Sequence, residues 1–432
     1  MRSVDEHMAE VLAGIDPIAA FHQQLIDAHG CLLDEDVTAP VDLPSFDNSA
    51  MDGYAVRAAD VAGADGLQGV VLPVVGDIAA GDLTEWMLEP GTTARIMTGA
   101  PIPAGADSVV PVEWTDGGVS EVEIRQMPEI GQHIRRQGDD VKVGETVLRH
   151  GTWLGPTQIG LLAAIGQGRV SVRPRPRVVV ISTGSELIEP GSQLVSGQVY
   201  DANSYMLTAA AVDAGAIAYR VGIIGDDAAE LKERIEDQLI RADLIITSGG
   251  VSKGAYDLVK QVLAELGEVA FHEVAMQPGK PQGYGHIGPD RTPVFALPGN
   301  PVSAYVSFEV FVRPLIRRML ALEPLYRPMA SATCTQPLTS SAGIKQYARG
   351  LLSLDGDDGR SVSLEGNDGT GLANESGDDE PVGTVTPVGG HGSHLLGDLA
   401  QANALIVLPE WTTSVQPGDT VQVMVLERRT GP

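Results

Sequence analysis

The residues best suited to chemistry lie in a few short loops between residues 183 and 301. These loops combine carboxylates, hydroxyls and glycines, and they hold Lys253 and Lys280, two of only six lysines. Carboxylates suit a hard divalent cation, and a basic side chain beside glycine amides suits an anion. The combination predicts a site for a phosphorylated ligand in the loops Thr183-Gly-Ser-Glu186, Gly225-Asp-Asp227, Ser248–Asp257, Gln277-Pro-Gly-Lys-Pro281 and Pro298-Gly-Asn-Pro301.

One of these loops has the clearest pattern. The apolar run Leu244–Ile246 breaks into Thr247-Ser-Gly-Gly250, and a helical pattern resumes after Asp257. Paired glycines before a helix let backbone N–H groups converge on an oxyanion. The loop matches neither G-x-G-x-x-G nor G-x-x-x-x-G-K-[ST], the fingerprints of the common nucleotide folds. An ordinary strand-to-helix turn also explains the glycines. The neighbouring polar loops favour phosphate binding.

Alternating strands and helices must position these loops. From Val178 onward, apolar runs typical of strands alternate with segments of helical period. Such alternation predicts a doubly wound, parallel α/β sheet, in which ligands bind at the carboxyl ends of the strands. We expect strands over 178–182, 218–224, 244–246, 269–274 and 294–297, and helices over 203–214, 227–242 and 302–320.

Three further polar clusters lie in the first half, at Asp47–Tyr54, Arg95–Asp107 and Arg135–Asp140. Valine-rich runs around them predict short strands. Asx-rich turns would explain the carboxylates without any function. The surrounding sequence predicts a helix that starts at a Ser3/Glu6 capping box, a second helix from about Pro17 to Gly30, and a third over 157–165.

These patterns predict four domains. A mixed helical N-terminal domain, 1–45 and 139–173, is interrupted by an inserted β-rich domain, 46–138. A stiff Arg-Pro linker then leads to the α/β domain, 174–327. Short strands and turns predict a small, barrel-like β-domain over 328–432. Within it, the segment 355–383 is rich in Asp, Gly, Asn and Ser, a composition typical of solvated loops.

Charge and cysteine content exclude several classes of function. The chain has 57 acidic and 29 basic residues and a formal net charge of -28, which disfavours binding to nucleic acid or to acidic membranes. Two cysteines, Cys31 and Cys334, are too few and too far apart to predict a disulfide framework or a thiolate metal site. No signal peptide or apolar span of about 20 residues is visible, so we expect a cytoplasmic protein.

Six of the motifs together resemble the molybdopterin molybdenumtransferase family, the bacterial MoeA type that also occurs as the E domain of gephyrin. The resemblance runs in order along nearly the whole chain, through Phe46–Ala55, Met97–Ala100, Ser182–Glu186, Thr247–Asp257, Pro278–Pro281 and Leu297–Val302. It implies a homodimer of four-domain subunits. It also implies a reaction in which molybdate and adenylylated molybdopterin yield active molybdenum cofactor and AMP. Molybdopterin adenylyltransferase and recipient molybdoenzymes are the protein partners that the resemblance suggests.

The resemblance also implies roles for individual residues. The residues expected to be catalytic are Asp52, Thr98, Asp140, Glu186, Asp227, Asp257, Lys280, Arg349 and Ser393. Those expected to bind the pterin substrate are Thr183, Gly184, Ser185, Ser248, Gly249, Gly250, Ser252, Pro298, Gly299, Asn300 and Pro301. Magnesium is the expected cofactor, with Glu186, Asp227 and Asp257 as its ligands. Lys280 and Arg349 suit phosphate or molybdate oxygens.

Structural explanations compete with several of these roles. Asp227 and Asp257 could simply cap helices, and Asp226 could be the matching position instead of Asp227. Asp52 and Asp140 could stabilise loops, and the Ser393 motif is a common type of turn. Gln277 stands where the family often has a basic residue, and Ser185 where an acidic residue is frequent.

Two other functions stay open at this point. The α/β segment alone resembles enzymes that adenylylate molybdopterin, which would consume ATP rather than release AMP. A non-catalytic scaffold, comparable to the receptor-clustering role of gephyrin, is the other alternative. The length of chain covered by the six motifs counts against the first, and the intact carboxylates with Lys280 count against the second.

Overall fold

The computed structural model describes residues 1–249, 256–354, 381–390 and 392–426, and it leaves the side chains of Tyr256 and Asp257 undescribed. The described chain forms two compact units. We call Ala20–Val172 the N-terminal unit, and Met1–Ala19 together with Arg173–Pro432 the larger unit. The predicted loops of 250–255 and most of the segment 355–383 lie outside the described residues.

A six-stranded sheet forms the centre of the larger unit. Four neighbouring strands are parallel, as the alternating pattern predicts. In sheet order the strands are Ile217–Ile224, Arg177–Thr183, Leu244–Ser248, Thr292–Leu297, Pro281–Ile287 and Gly267–Glu273. The last two strands are antiparallel, so the prediction of an all-parallel sheet is wrong at this edge. No strand was predicted over Pro281–Ile287, whose one proline and two glycines are uncommon inside strands.

Helices cover both faces of the sheet. Successive residues of its buried strands point to opposite sides, so both faces carry apolar side chains that must be covered. Val178 and Val180 enter one core, and Val179 and Ile181 enter the other. The first core packs against Val4–Leu12, Asn203–Asp213, Pro301–Ser307 and Arg313–Met319, and the second against Ala228–Leu239 and Tyr256–Leu266. A π-helical turn, Phe308–Val312, joins two of these helices within the predicted helix 302–320.

The N-terminal helix confirms one prediction. Ser3 and Glu6 form the predicted capping box at the start of Val4–Leu12. This helix packs in the core of the larger unit, and the predicted grouping of 1–45 with 139–173 stays a prediction. The remaining predicted domain boundaries stay predictions.

The predicted helix from Pro17 to Gly30 is wrong. Phe21–Gln24 is a strand that pairs antiparallel with Arg169–Arg173, and turns follow it. The apolar residues that suggested a helical face are not a buried stripe, since Ile26 is 78% exposed and Phe21 is 44% exposed. Pairing with a distant strand outweighs the local helical spacing here.

The N-terminal unit consists mainly of strands. Its five-stranded sheet has the order Ser108–Pro111, Gly53–Val56, Thr93–Ile96, Asp65–Ile78 and Glu121–Gln126. One α-helix, Pro156–Ala164, packs on a separate core, near the predicted bounds. Shorter pieces complete the unit: strands Leu32–Leu33, Val37–Thr38, Asn48–Ser49, Ile134–Arg135 and Thr146–Leu148, and 3₁₀ turns Ala58–Val61 and Val112–Trp114.

The C-terminal part of the larger unit is a closed, five-stranded barrel, which confirms the expectation of a barrel-like β-domain. Its strands close because Lys345–Leu354 pairs with both Gly383–Pro387 and Ala404–Leu408. The other two are Met329–Cys334 and Thr420–Val425. The remaining short elements of the larger unit are strands Leu187–Ile188, Val199–Tyr200, Met276–Gln277, Leu338–Thr339 and Ser414–Val415, and helix Leu396–Gln401.

Candidate functional site

A cavity of about 650 Å³ opens at the carboxyl ends of the parallel strands. This is the edge where loops of an α/β sheet gather and where such folds bind ligands. The strands Arg177–Thr183 and Leu244–Ser248 end directly at it. The lining residues are Ser182, Thr183, Glu186, Leu187, Val199, Tyr200, Asp201, Ala202, Asn203, Ser248, Gly249, Pro281, Pro298, Gly299, Asn300, Pro301 and His394.

Four of the predicted loops meet in this cavity, one of them, Gln277–Pro281, only through Pro281. Thr183 and Glu186 come from the first loop, Ser248 and Gly249 from the second, and Pro298–Pro301 from the last. Gly184 and Ser185 lie in the turn between two lining residues. Gly250 and Ser252 lie outside the described residues. Their roles in binding stay predictions, as do those of the lining residues.

Gly249 holds two of these loops in close contact. Its φ of +99° is a conformation that L side chains rarely adopt, and a Cβ here would lie 2.3 Å from the backbone oxygen of Thr183. Only glycine accepts both constraints. The pair of glycines that drew attention to this loop therefore has at least one structural cause, the close approach of two strand ends.

Hydrogen bonds from two asparagines tie the cavity loops together. The Asn203 amide nitrogen donates to Ser248 Oγ at 2.9 Å and to the Gly299 carbonyl at 2.7 Å. Asn300 donates from Nδ2 to Ser393 Oγ at 2.8 Å, and Val302 donates its N–H to the Ser393 carbonyl at 3.1 Å. Ser393, predicted to be catalytic, thus joins the barrel loop to the rim of the cavity.

No role in the site was predicted for the segment Asp201–Ser204. Asp201 is 1% exposed and accepts hydrogen bonds from Ser182 Oγ and from both the N–H and Oγ of Ser204. Arg220 lies 3.6 Å from the same carboxylate and pairs more closely with Glu189. The sequence signal for this segment was a carboxylate and an amide placed between a short strand and the start of a helix. His394, which also lines the cavity, had no such signal.

The predicted magnesium ligands have different surroundings. Glu186 is exposed at the cavity. Asp227 Oδ1 accepts the N–H groups of Ala229 and Glu230 at 2.8 and 3.0 Å, so this residue caps its helix. Asp226 faces the Glu186 turn instead, because its N–H donates to Ser185 Oγ and its carboxylate accepts the Ser185 N–H. The side chain of Asp257 is undescribed. Among the described residues, no group of three or more His, Cys, Asp or Glu could hold a metal ion.

Lys280 lies next to the lining residue Pro281. Its ammonium pairs with Glu273 at 3.0 Å, and both side chains are at least half exposed. An exposed pair of this kind contributes little to stability. The lysine can therefore turn toward an anionic ligand without a large energetic cost.

Arg349 is only 5% exposed and points at the loop that carries Ser393. It donates to the carbonyl oxygens of Val388, Gly390 and Gly392. Burial lowers the pKa of its guanidinium, and Asp398 partly offsets this effect. The same residue lines a small cavity of about 50 Å³ together with Gln277. Much of its hydrogen-bonding capacity thus holds the barrel loop, and its predicted contact with an oxyanion stays a prediction.

The three polar clusters of the N-terminal unit also come together. Strand Asn48–Ser49 pairs with Ile134–Arg135, and Gly99 donates its N–H to the Ser49 carbonyl at 2.8 Å. Asp52 Oδ1 accepts the Thr98 N–H at 2.7 Å and its hydroxyl at 2.8 Å. These bonds, the backbone one first, lower the pKa of the Asp52 carboxyl.

The third cluster contributes Asp140 and Arg136, and Arg136 forms an ion pair with Asp47. Arg136 Nη1 lies 2.6 Å from Asp47, whose carboxylate also accepts the Gln137 N–H at 2.8 Å. The backbone bond from Gln137, and then the bond from Arg136, lower the pKa of Asp47. Asp140 is exposed, and its N–H donates to the Leu43 carbonyl. The catalytic roles predicted for Asp52, Thr98 and Asp140 stay predictions.

Within the described ranges, no helix is long and apolar enough to cross a membrane.

Comparisons with known proteins identify the family. Three family models match: the MoeA N-terminal region (domain I and II) over residues 2–166, a probable molybdopterin binding domain over 179–318, and the MoeA C-terminal region (domain IV) over 373–426. A solved structure, the molybdopterin biosynthesis MoeA protein from Pyrococcus horikosii, superposes with a TM-score of 0.71 at 30% identity and 99% coverage of both chains.

Curated relatives agree with this match. The protein named molybdopterin molybdenumtransferase 2 of Mycobacterium tuberculosis is 47% identical over 98% of this chain and 99% of its own length. The protein named molybdopterin molybdenumtransferase of Haemophilus influenzae is 35% identical over 98% of each chain. These matches confirm the resemblance seen in the six motifs, and the chain belongs to the molybdopterin molybdenumtransferase (MoeA) family.

Proposed function

We propose that this protein inserts molybdenum from molybdate into adenylylated molybdopterin and releases AMP. The observation that carries the proposal is the cavity of about 650 Å³ at the strand ends, because four motif loops meet there in a chain that matches the family over nearly its whole length. Full-length family membership favours this step over adenylylation of molybdopterin.

The carboxylates at the cavity suit magnesium in its usual coordination. In sites that act on phosphates, this ion typically takes one or two protein carboxylates, and substrate oxygens and water complete its shell. Glu186 at the cavity and Asp226 on the adjoining loop fit that requirement. Asp227 and Asp257 stay candidate ligands. When bound, magnesium would neutralise charge on the phosphoanhydride oxygens.

The chain's own residues would bind and orient the substrate. Backbone N–H groups near Gly249 would donate to phosphate oxygens, and Lys280 would exchange its exposed pair with Glu273 for the substrate's negative charge. Ser393 would present the barrel loop to the cavity through its bonds to Asn300 and Val302. Arg349 would fix that loop and offer its remaining N–H groups to molybdate.

Release of AMP tests the proposal directly. Purified protein with magnesium and adenylylated molybdopterin should release AMP in a molybdate-dependent manner and should activate a cofactor-free molybdoenzyme. Consumption of ATP on free molybdopterin, without AMP release from the adenylylated form, would instead support the adenylylation step. No turnover in either assay would overturn the enzymatic proposal and favour a scaffold.

We also propose that the active form is a homodimer, as in the family that the motifs resemble. Light scattering during gel filtration should give twice the chain mass of 45.3 kDa. A monomer that still releases AMP would refute this part of the proposal and leave the catalytic part intact.

A further inference from the structure

Two polar side chains of the cavity have hydrogen-bonding capacity that the described protein does not use. Thr183 Oγ1 and Asn203 Oδ1 are buried and have no hydrogen-bond partner among the described residues. Thr183 is only 2% exposed, and both residues line the cavity. Buried polar groups are nearly always paired, so an unpaired one indicates a missing partner.

The orientation of the Asn203 amide follows from its contacts. One amide atom lies 2.7 Å from the Gly299 carbonyl oxygen, which can only accept a hydrogen bond. That atom must therefore be Nδ2, and the unpaired atom must be the oxygen. An amide oxygen accepts but cannot donate, so its missing partner is a donor.

This requirement excludes part of the substrate as the partner. Phosphate and molybdate present acceptor oxygens, which an amide oxygen repels. The cavity floor is also formed by Asp201, whose buried carboxylate is held by Ser182 and Ser204. A neutral group with N–H donors suits this floor better than an anion.

We propose that Asn203 and Thr183 are specificity-determining residues that bind an amino-substituted heteroaromatic ring of the substrate. The Asn203 oxygen accepts an N–H of the exocyclic amino group, and the Thr183 hydroxyl pairs with a neighbouring polar atom of the ring. This inference rests on the proposed function, since adenylylated molybdopterin carries two such rings, a pterin and an adenine. Both present the same chemistry to these side chains.

Paired ligands separate the two rings and test the contact. Pterin is compared with lumazine, in which a carbonyl replaces the exocyclic amino group, and AMP is compared with IMP, which differs from it in the same way. The wild-type protein should bind one amino ligand about tenfold more tightly than its partner. The pair that shows this preference identifies the ring, and Asn203→Leu should abolish the preference in calorimetric titrations.

Thr183→Val is a variant with little risk to folding. Its removed hydroxyl has no partner among the described residues, so thermal stability should be unchanged or slightly higher while affinity for the preferred ligand falls about tenfold. Thr247→Val is the matched control on the adjacent strand. Thr247 is buried, donates to the Phe295 carbonyl at 3.3 Å and does not line the cavity. The Thr247→Val variant should be less stable than the wild-type protein and should keep the wild-type affinity for the preferred ligand.

The outcomes distinguish this inference from the proposed function. If neither pterin nor AMP binds to the wild-type protein, the proposed function and the inference both fail. If a ligand binds but the wild-type protein shows no preference in either pair, or if Asn203→Leu retains the preference, the inference alone is wrong. Unchanged affinity of Thr183→Val would remove the hydroxyl from the ring contact.

Discussion

The cavity of the larger unit and the polar cluster of the N-terminal unit contain similar polar side chains. The two regions differ in how many of these side chains are paired within the protein. In the cluster, Asp52 accepts a hydrogen bond from the Thr98 N–H, and Asp47 accepts one from the Gln137 N–H. Each carboxylate therefore links two loops. In the cavity, Glu186 is exposed, and Thr183 and Asn203 each have an oxygen without a hydrogen-bond partner among the described residues. Polar composition alone is thus a weak guide to a ligand site. A ligand site is distinguished by hydrogen-bonding groups that have no partner within the folded protein.

Loss of the exposed carboxylate should have the largest effect. Glu186→Gln should lower molybdate-dependent AMP release on the order of 100-fold and leave the melting temperature unchanged, because the proposed function gives this exposed side chain a role in binding the ligand. Glu230→Gln, at an exposed acid in the first turn of Ala228–Leu239, is the control and should keep full turnover. Near-normal turnover of Glu186→Gln would exclude the carboxylate from the site.

A glycine in each region tests how closely the loops approach. Gly249→Ala should reduce the free energy of unfolding by about 3 kcal/mol, because left-handed strain adds to a clash with the Thr183 oxygen. Gly99→Ala in the cluster, where φ is +81° and nothing lies within 4 Å of the added Cβ, should cost only about 1 kcal/mol. Urea unfolding measures both values, and equal losses would contradict the close approach at the cavity.

Acid should weaken the two units in different pH ranges. Burial, then His272 and Arg2, lower the pKa of His7 to about 4 in the first helix. An unfolded histidine has a pKa near 6.5, so the stability due to neutral His7 is present above about pH 6.5 and is lost as pH falls toward 4. At pH 5 the expected loss is about 2 kcal/mol. In the cluster, the pKa values of Asp47 and Asp52 are lowered, so these carboxylates stabilise the fold while they are ionised. That stability should be lost only below about pH 4, as the carboxyls become protonated.

Hydrogen exchange resolves these two ranges. Protection of amides in Val4–Leu12 should fall between pH 7 and 5, whereas protection near Thr98 should persist until below pH 4. His7→Gln should remove the first transition and leave the second. Simultaneous loss of protection in both regions would show that the cluster has no separate acid response.

The smallest effect is expected within the cluster itself. Thr98→Val removes the hydroxyl bond to Asp52 and keeps the backbone N–H bond, which is the larger cause of the lowered pKa. The pKa of Asp52 should therefore rise but stay below its ordinary value of 3.8. Carbon-detected NMR titration measures this shift. A return to the full ordinary value would mean that the hydroxyl, not the backbone, holds the carboxylate.

Local patterns predicted much of the larger unit. Val178 and its successors alternate with helical segments, and the four parallel strands and the cap at Ser3 lie where these patterns placed them. Predictions failed where distant pairing outweighed local spacing. The segment after Pro17 pairs with Arg169–Arg173, and Pro281–Ile287 completes an antiparallel edge despite its glycines and prolines.

The sequence by itself determined the family, the order of strands and helices along the α/β segment, and which loops lie at the carboxyl ends of the parallel strands. Tertiary structure decided which polar atoms in those loops are left for a ligand. Asp227 is used by its own helix, and Asp226 faces the Glu186 turn. The Asn203 amide nitrogen bonds to Gly299, and its oxygen has no partner in the part of the chain that the structure describes. The physical reason is that hydrogen bonds between loops far apart in the chain depend on distances that only the folded sheet sets.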